Sequence, residues 1–302
     1  MSDMNYSPFR QYLKSLQGRN VYFDKMTGNN GDRLITMGAE HLFAKLDITT
    51  VPSPQYADCI IVNGGNTNGM WRGRVEKLGY YRRTYPATML VVAPSSFRFR
   101  GIDFKHLCDV KNPTPFILFA RERYSYQVLT ELSMPPHVEC HLSQDLAFEL
   151  AGSSFIHRLS ELASEDHLLV AMRRDKEGPA GILTKTHAPW LPGVVRKPLS
   201  RLRDRLAASI SHNMLEDIVA NEQIEGSLPR IYRDVSEAVS FDEFVSTIAK
   251  SKNVITDRLH TAILGFLLEK RIALICREDH KTRGVFEFSM SGPHSNTVSY
   301  TS

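Results

Sequence analysis

The four cysteines of this 302-residue chain, Cys59, Cys108, Cys140 and Cys276, are scattered, and none stands at a metal-binding or redox spacing. That distribution argues against a disulfide framework and a zinc site, so all four are expected to be reduced thiols and no metal is expected. Apolar runs are short. None approaches the roughly 20 residues that span a bilayer, and Met1–Arg10 shows neither an apolar core nor a basic leader, so no signal peptide is expected. Several catalytic patterns are missing too. There is no Gly-x-Gly-x-x-Gly, no Walker lysine, no Gly-x-Ser-x-Gly elbow and no helical His-x-x-x-His pair. Charge of one sign is scarce. The net charge is only +4, too slight for nucleic acid, though it suits anionic substrates or loose contact with an acidic membrane face.

What is present is an alternation of short apolar strands with amphipathic helices. Val21-Tyr22-Phe23, Cys59-Ile60-Ile61-Val62, Met89-Leu90-Val91-Val92 and Phe116-Ile117-Leu118-Phe119 read as strands in the first half. Helices are expected over Leu34–Leu46, Trp71–Tyr81 and Glu122–Leu132. The second half repeats the style with strands at His167–Met172, Asn253–Ile255 and Ile272–Ile275. Leu199–Ile210 looks helical, and a capping box, Ser240 to Glu243, opens a helix over Phe241–Lys250. Near-continuous apolar strands separated by helices argue for parallel sheets covered on both faces. The polar segment Glu149–Asp166 is the expected boundary between domains 1–155 and 156–302. Lys176–Lys197, rich in Gly, Pro and Thr, reads as a long loop.

Ligands in such folds bind beyond the carboxyl ends of strands. Two facing halves would place those ends on a shared cleft. The candidate motifs follow strands: Gly28 to Asp32, Asn63 to Asn66, Ser95-Ser96, Arg173-Arg174 and Thr256 to His260. The last stretch carries the most. Arg258 and His260 stand two residues apart at an expected helix N-terminus, where free N–H groups and the helix dipole favour an anion. Arginine adds a fixed fork of donors matched to phosphate or carboxylate. Asn30, Gly31 and Asp32 form either a ligand-approaching turn or a plain turn with Asp32 as a helix cap. Gly64, Gly65 and Asn66 read as a turn. The basic run Arg72–Arg83 reads as the solvated face of a helix, with Tyr80, Tyr81 and Tyr85 as the alternative contact for a sugar or lipid headgroup.

In order and spacing these blocks resemble the polysaccharide pyruvyl transferase family. Asn29-Asn30-Gly31-Asp32 is similar to its Asn-x-Gly-Asp turn, Asn63-Gly64-Gly65 follows at the second strand, and Ala120-Arg121-Glu122 with Ser125 resembles its Ala-Arg-Glu-x-x-Ser element. Gln144 to Phe148, Thr256 to His260 and Lys281 to Gly284 complete the match. Pro94-Ser95-Ser96 departs from relatives that carry glycines there. The resemblance implies two Rossmann-like domains arranged as in GT-B glycosyltransferases. Residues 1–155 would be the acceptor side and 156–302 the donor side, with the last residues packing back on the first domain. It implies transfer of an enolpyruvyl group from phosphoenolpyruvate to a sugar or lipid-linked oligosaccharide, giving a cyclic ketal, with no cofactor beyond the donor. Arg258 and His260, with Asp32 as the base on the acceptor hydroxyl, would be catalytic. Asn30, Gly31, Gly64, Gly65, Asn66, Arg121, Arg173, Arg174 and Leu259 would bind substrate. Cytoplasmic location, with peripheral contact at the inner membrane face, would follow. The competing readings are a glycosyltransferase using a nucleotide sugar and a non-catalytic glycan-assembly protein.

Overall fold

The computed structural model describes residues 7–25, 28–68, 72–98, 104, 107, 112–172, 215–221, 228–233, 240–276, 280–292 and 295–301. The chain divides into two compact units, Met1–Arg158 with Arg277–Ser295, and Leu159–Cys276 with Asn296–Ser302.

In the first unit the strands are β1 (Val21–Asp24), β2 (Cys59–Val62), β3 (Gly65–Asn68), β4 (Met89–Arg98), β5 (Phe116–Ala120) and β6 (Val138–Leu142). They form one sheet in the order β1-β2-β4-β5-β6, with β3 also paired to β4. Every pairing is parallel. Side chains alternate between faces. Cys59 and Ile61 face Phe9, Ile35, Leu42 and Phe43, while Ile60 and Val62 face Val75, Leu78 and Tyr81. Such strands are apolar throughout because both faces are covered. Each fully buried Phe or Leu is worth about 1.5–3 kcal/mol.

The helices of this unit are α1 (Pro8–Lys14), α2 (Asn30–Lys45), α3 (Arg72–Thr84), α4 (Arg123–Thr130) and α5 (Ser154–Ser160). Three expectations need correction. The helix expected from Leu34 begins at Asn30, because Asn29 and Asp32 form a reciprocal capping box. The strand expected to end before Pro94 runs on to Arg98. Asn63–Asn66 is not a simple turn: Gly65 and Asn66 open β3, which pairs with Ser95–Arg98. The break at Asn63-Gly64 therefore separates two strands that both lie along β4.

The second unit holds β7 (Glu165–Ala171), β8 (Arg230–Tyr232), β9 (Ser251–Thr256), β10 (Arg271–Cys276) and β11 (Thr297–Thr301), in the order β11-β10-β9-β7-β8. All are parallel. Helix α6 (Phe241–Lys250) starts at its Ser240 cap, whose side chain accepts from the Glu243 N–H. Helix α7 (Leu259–Leu267) follows directly on its N-cap residue, Arg258. Arg173, Arg174, the Lys176–Lys197 loop and the Leu199–Ile210 helix lie outside the described residues. In the first unit, α8 (His280–Val285) packs on α4. There the Cβ that Gly284 lacks would fall 2.9 Å from Glu122 Oε2, so the late Lys281–Gly284 motif is a site of close helix contact.

Candidate functional site

Two sets of polar residues stand at carboxyl ends of strands, one in each unit.

In the second unit Thr256 ends β9 and is fully buried. Its hydroxyl donates to the Ala171 carbonyl at 2.7 Å, at the end of β7, and accepts from the Arg258 N–H at 3.0 Å. One side chain thus joins two strand ends and fixes the entry to α7. Arg258 is the N-cap residue, extended at φ −94° and ψ 114°, with no side-chain cap bond of its own. Its side chain is 4% exposed. Leu259 and His260 form the first turn, with His260 half-buried. The sequence therefore places a cation and an imidazole on the first turn of a helix, where early N–H groups lack intrahelical acceptors.

In the first unit Asp32 is the third residue of α2. Its Oδ2 accepts from the Asn29 N–H at 2.9 Å, while Asn29 Oδ1 accepts from Gly31 N–H at 2.8 Å and Asp32 N–H at 3.3 Å. Asp32 is thus not itself the N-cap. Asn30 and Gly31 form the opening turn. Asn63 Nδ2 donates to the Lys25 carbonyl and to Thr36 Oγ1, which ties the β2–β3 break to α2. The missing Cβ of Gly64 would lie 2.6 Å from the Pro94 carbonyl, so only glycine fits there. Gly65 has φ +133°, a region L side chains avoid.

Arg121 is tied into the fold on three sides. It is 1% exposed. Nε donates to Ser96 Oγ at 2.9 Å, Nη1 to Asp145 Oδ2 at 2.7 Å and Nη2 to Asn66 Oδ1 at 3.0 Å. A guanidinium occupied in this way is an internal brace that positions Asn66. The rest of that motif is structural as well. Glu122 caps α4 by accepting from Ser125 N–H, and Ser125 Oγ accepts from Phe97 N–H at 2.7 Å. Asp145 Oδ1 caps the short helical turn Leu146–Leu150 through Ala147 N–H.

Arg74 did not stand out in the sequence. The basic run is not a solvated face, since Arg74 and Arg82 are 6% and 7% exposed. Arg82 donates to the Thr114 and Asn112 carbonyls. Arg74 donates to the Asn63 and Gly64 carbonyls and to Ser95 Oγ. Burial, with repulsion from Arg121, lowers its pKa to about 10. The signal that could have found it is spacing, because Arg74 precedes the apolar Leu78 and Tyr81 by four and seven residues on one helix face. Tyr81 is buried and donates to Asp24 Oδ2 at 3.0 Å, so it is not a ligand contact; Tyr80 is exposed.

A separate pocket of about 750 Å³ lies between β1 and α2, lined by Phe23, Asp24, Lys25, Glu40, Phe43 and Lys77 among others. It contains none of the motif residues. No cluster of His, Cys, Asp or Glu suited to a metal occurs among the described residues. No helix among them is long and apolar enough to cross a membrane.

A family model for polysaccharide pyruvyl transferase matches residues 2–275. The chain belongs to that family and is thereby an enzyme, a transferase of pyruvyl groups onto polysaccharide. Among solved structures it is similar to an uncharacterised protein of Klebsiella pneumoniae, with a TM-score of 0.66 and 18% identity over 100% of both chains, a likeness of fold alone. Comparison with curated proteins yields no match.

Proposed function

We propose that this transferase takes its pyruvyl group from phosphoenolpyruvate and closes it as a cyclic ketal on a sugar of a cell-surface glycan precursor. The observation that carries the reading is the Thr256 hydroxyl, which bridges the Ala171 carbonyl and the Arg258 N–H. It sets a buried arginine and a half-buried histidine on one helix N-terminus. That is a donor-rich place for a ligand with both a phosphate and a carboxylate.

The chemistry assigns tasks. Asp32 takes the proton from one acceptor hydroxyl, whose oxygen bonds to C2 of the donor while the C=C pair takes a proton from solvent at the methylene carbon, which becomes methyl, and Asp32 then returns its proton to solvent. The C2–O bond to phosphate then breaks and phosphate leaves with the electron pair. The second hydroxyl bonds to C2, its proton goes to the departing phosphate, and the ketal closes. Arg258 holds donor oxyanions in place, Leu259 N–H adds a backbone donor, and His260 delivers or receives a proton at the phosphate. Arg173 and Arg174 complete the anion clamp in this reading. Asn30, Gly31, Gly64, Gly65 and Asn66 belong to the acceptor side, and the two-domain arrangement of GT-B glycosyltransferases is part of the same proposal. No metal or further cofactor has a role in it. Nucleic acid is no partner, and a lipid-linked acceptor would bring the protein to the inner membrane face.

The test is direct. Purified protein with phosphoenolpyruvate and a panel of glycoside acceptors should release phosphate and form an acid-labile pyruvylated product. Arg258→Ala and His260→Ala should each lower that rate by about 100-fold or more, the scale of a lost acid–base or positioning group. Wild-type-like turnover in both would contradict the site assignment. A melting shift with nucleotide sugars but none with phosphoenolpyruvate would favour a glycosyltransferase.

A further inference from the structure

Gly65 is buried, with Arg74 on one side and Asp32 on the other. A Cβ built on it would sit 3.0 Å from Arg74 Nη1 and 3.8 Å from Asp32 Oδ1, and apart from its chain neighbours no other atom of the described residues lies within 4 Å. The missing side chain leaves a notch with a cationic donor on one side and a carboxylate oxygen on the other. Position 65 could not be filled without strain, because its φ is +133°.

Both walls have capacity left over. Asp32 Oδ2 is held by the Asn29 N–H. Oδ1 makes no hydrogen bond among the described residues and can accept one. Arg74 binds only neutral acceptors, the Asn63 and Gly64 carbonyls and Ser95 Oγ. Its Nη1 has two N–H groups, one of them directed to Gly64 at 3.2 Å. Its Nε is buried and has no hydrogen-bond partner among the described residues. A buried cation ordinarily lies against a carboxylate; here the nearby carboxylate, Asp32, stands across the notch. Asn66 adjoins it. Arginine can only donate, so the Arg121 contact turns Asn66 Oδ1 inward and leaves the Nδ2 donors for a ligand.

We propose that Asp32 Oδ1 and Arg74 Nη1 seat the two acceptor hydroxyls that become the ketal oxygens, one on each side of Gly65. This deepens the transferase reading and rests on it for the fate of those hydroxyls. Two neighbouring hydroxyls offer a donor to the carboxylate and an oxygen acceptor to the guanidinium. A single hydroxyl satisfies one wall and leaves the other group desolvated and unmatched. Arg74 thereby selects for a diol, while Asp32 takes the first proton.

Binding to the full chain, measured without phosphoenolpyruvate by saturation-transfer NMR and titration, tests the seat. The probes are methyl glucopyranoside, galactopyranoside and mannopyranoside, with the mono-deoxy analogues of whichever binds. The expected result is that removing either of two adjacent or 1,3-related hydroxyls weakens binding about tenfold. Arg74→Lys should weaken the parent similarly yet leave one of those two deoxy analogues unchanged, and Asp32→Asn should do the same with the other. If Arg74→Lys fails to fold, Asp32→Asn decides alone, because its amide oxygen can still accept from Asn29 N–H. Absence of glycoside binding overturns the proposal. So does an equal loss for the parent and both analogues, which is what a mere brace would give. Phosphoenolpyruvate-dependent phosphate release with unchanged acceptor KM in both variants would overturn the seat while leaving the transferase reading intact.

Discussion

The polar centres of the two units solve the same problem by different means. In the first, arginines act as scaffold. Arg121 gathers Ser96, Asn66 and Asp145, and Arg74 gathers the Asn63–Gly64 break and Ser95. The centre is wired through side chains that start far apart in sequence. In the second, a single threonine hydroxyl ties two strand ends and one helix entry, and the arginine is an N-cap whose side chain makes no cap bond. An arginine in a strand-end motif is therefore not by itself a ligand contact.

That contrast can be broken first at Arg121. Arg121→Met leaves the Asp145 carboxylate buried without its cation, an error of about 3–5 kcal/mol. Urea unfolding should show it, while any protein that remains folded keeps its affinity for phosphoenolpyruvate. A large loss of donor affinity would mean that Arg121 is more than a brace.

Gly38→Ala probes the packing behind the first centre. The added Cβ would overlap the Leu146 carbonyl at 1.9 Å, where α2 presses on the Leu146–Leu150 turn. Overpacking of this kind costs about 1–3 kcal/mol, read as a lower melting temperature.

Thr256→Val sharpens the comparison from the other side. It strands the buried Ala171 carbonyl and the Arg258 N–H, for a loss of about 1–3 kcal/mol. Because the same hydroxyl sets Arg258, KM for phosphoenolpyruvate should also rise. Unchanged KM would separate Thr256 from donor binding. The smallest expected effect is Ser240→Ala, which removes the cap of α6 for about 1 kcal/mol and should leave both substrates' KM values alone.

The frame of this protein was legible because buried parallel strands must be apolar throughout. Ile60 to Val62 and Val254-Ile255 announce themselves, and the Ser240 cap is local in sequence. The edge strands β8 and β11 were not legible, being short and partly exposed, so they carry no continuous apolar signal. Helix α5, inside the polar segment taken as a boundary, lacked one too. Within the site, Arg258 and His260 were readable from a strand followed by a helix start. The buried ion pair of Arg121 was not legible because its partner Asp145 is 24 residues away and no local pattern announces it. Arg74 was hidden inside a basic run, where only its phase relative to Leu78 and Tyr81 separates a buried arginine from a solvated one.

In the proposed reaction Thr256 to His260 binds phosphoenolpyruvate. Titrating that ligand into wild-type protein and into Arg258→Ala, with heat or melting temperature as the signal, tests it most directly. The expected result is saturable binding to the wild type, weakened by about tenfold or more in a variant whose own melting temperature is unchanged. Equal affinity in the two proteins would contradict it.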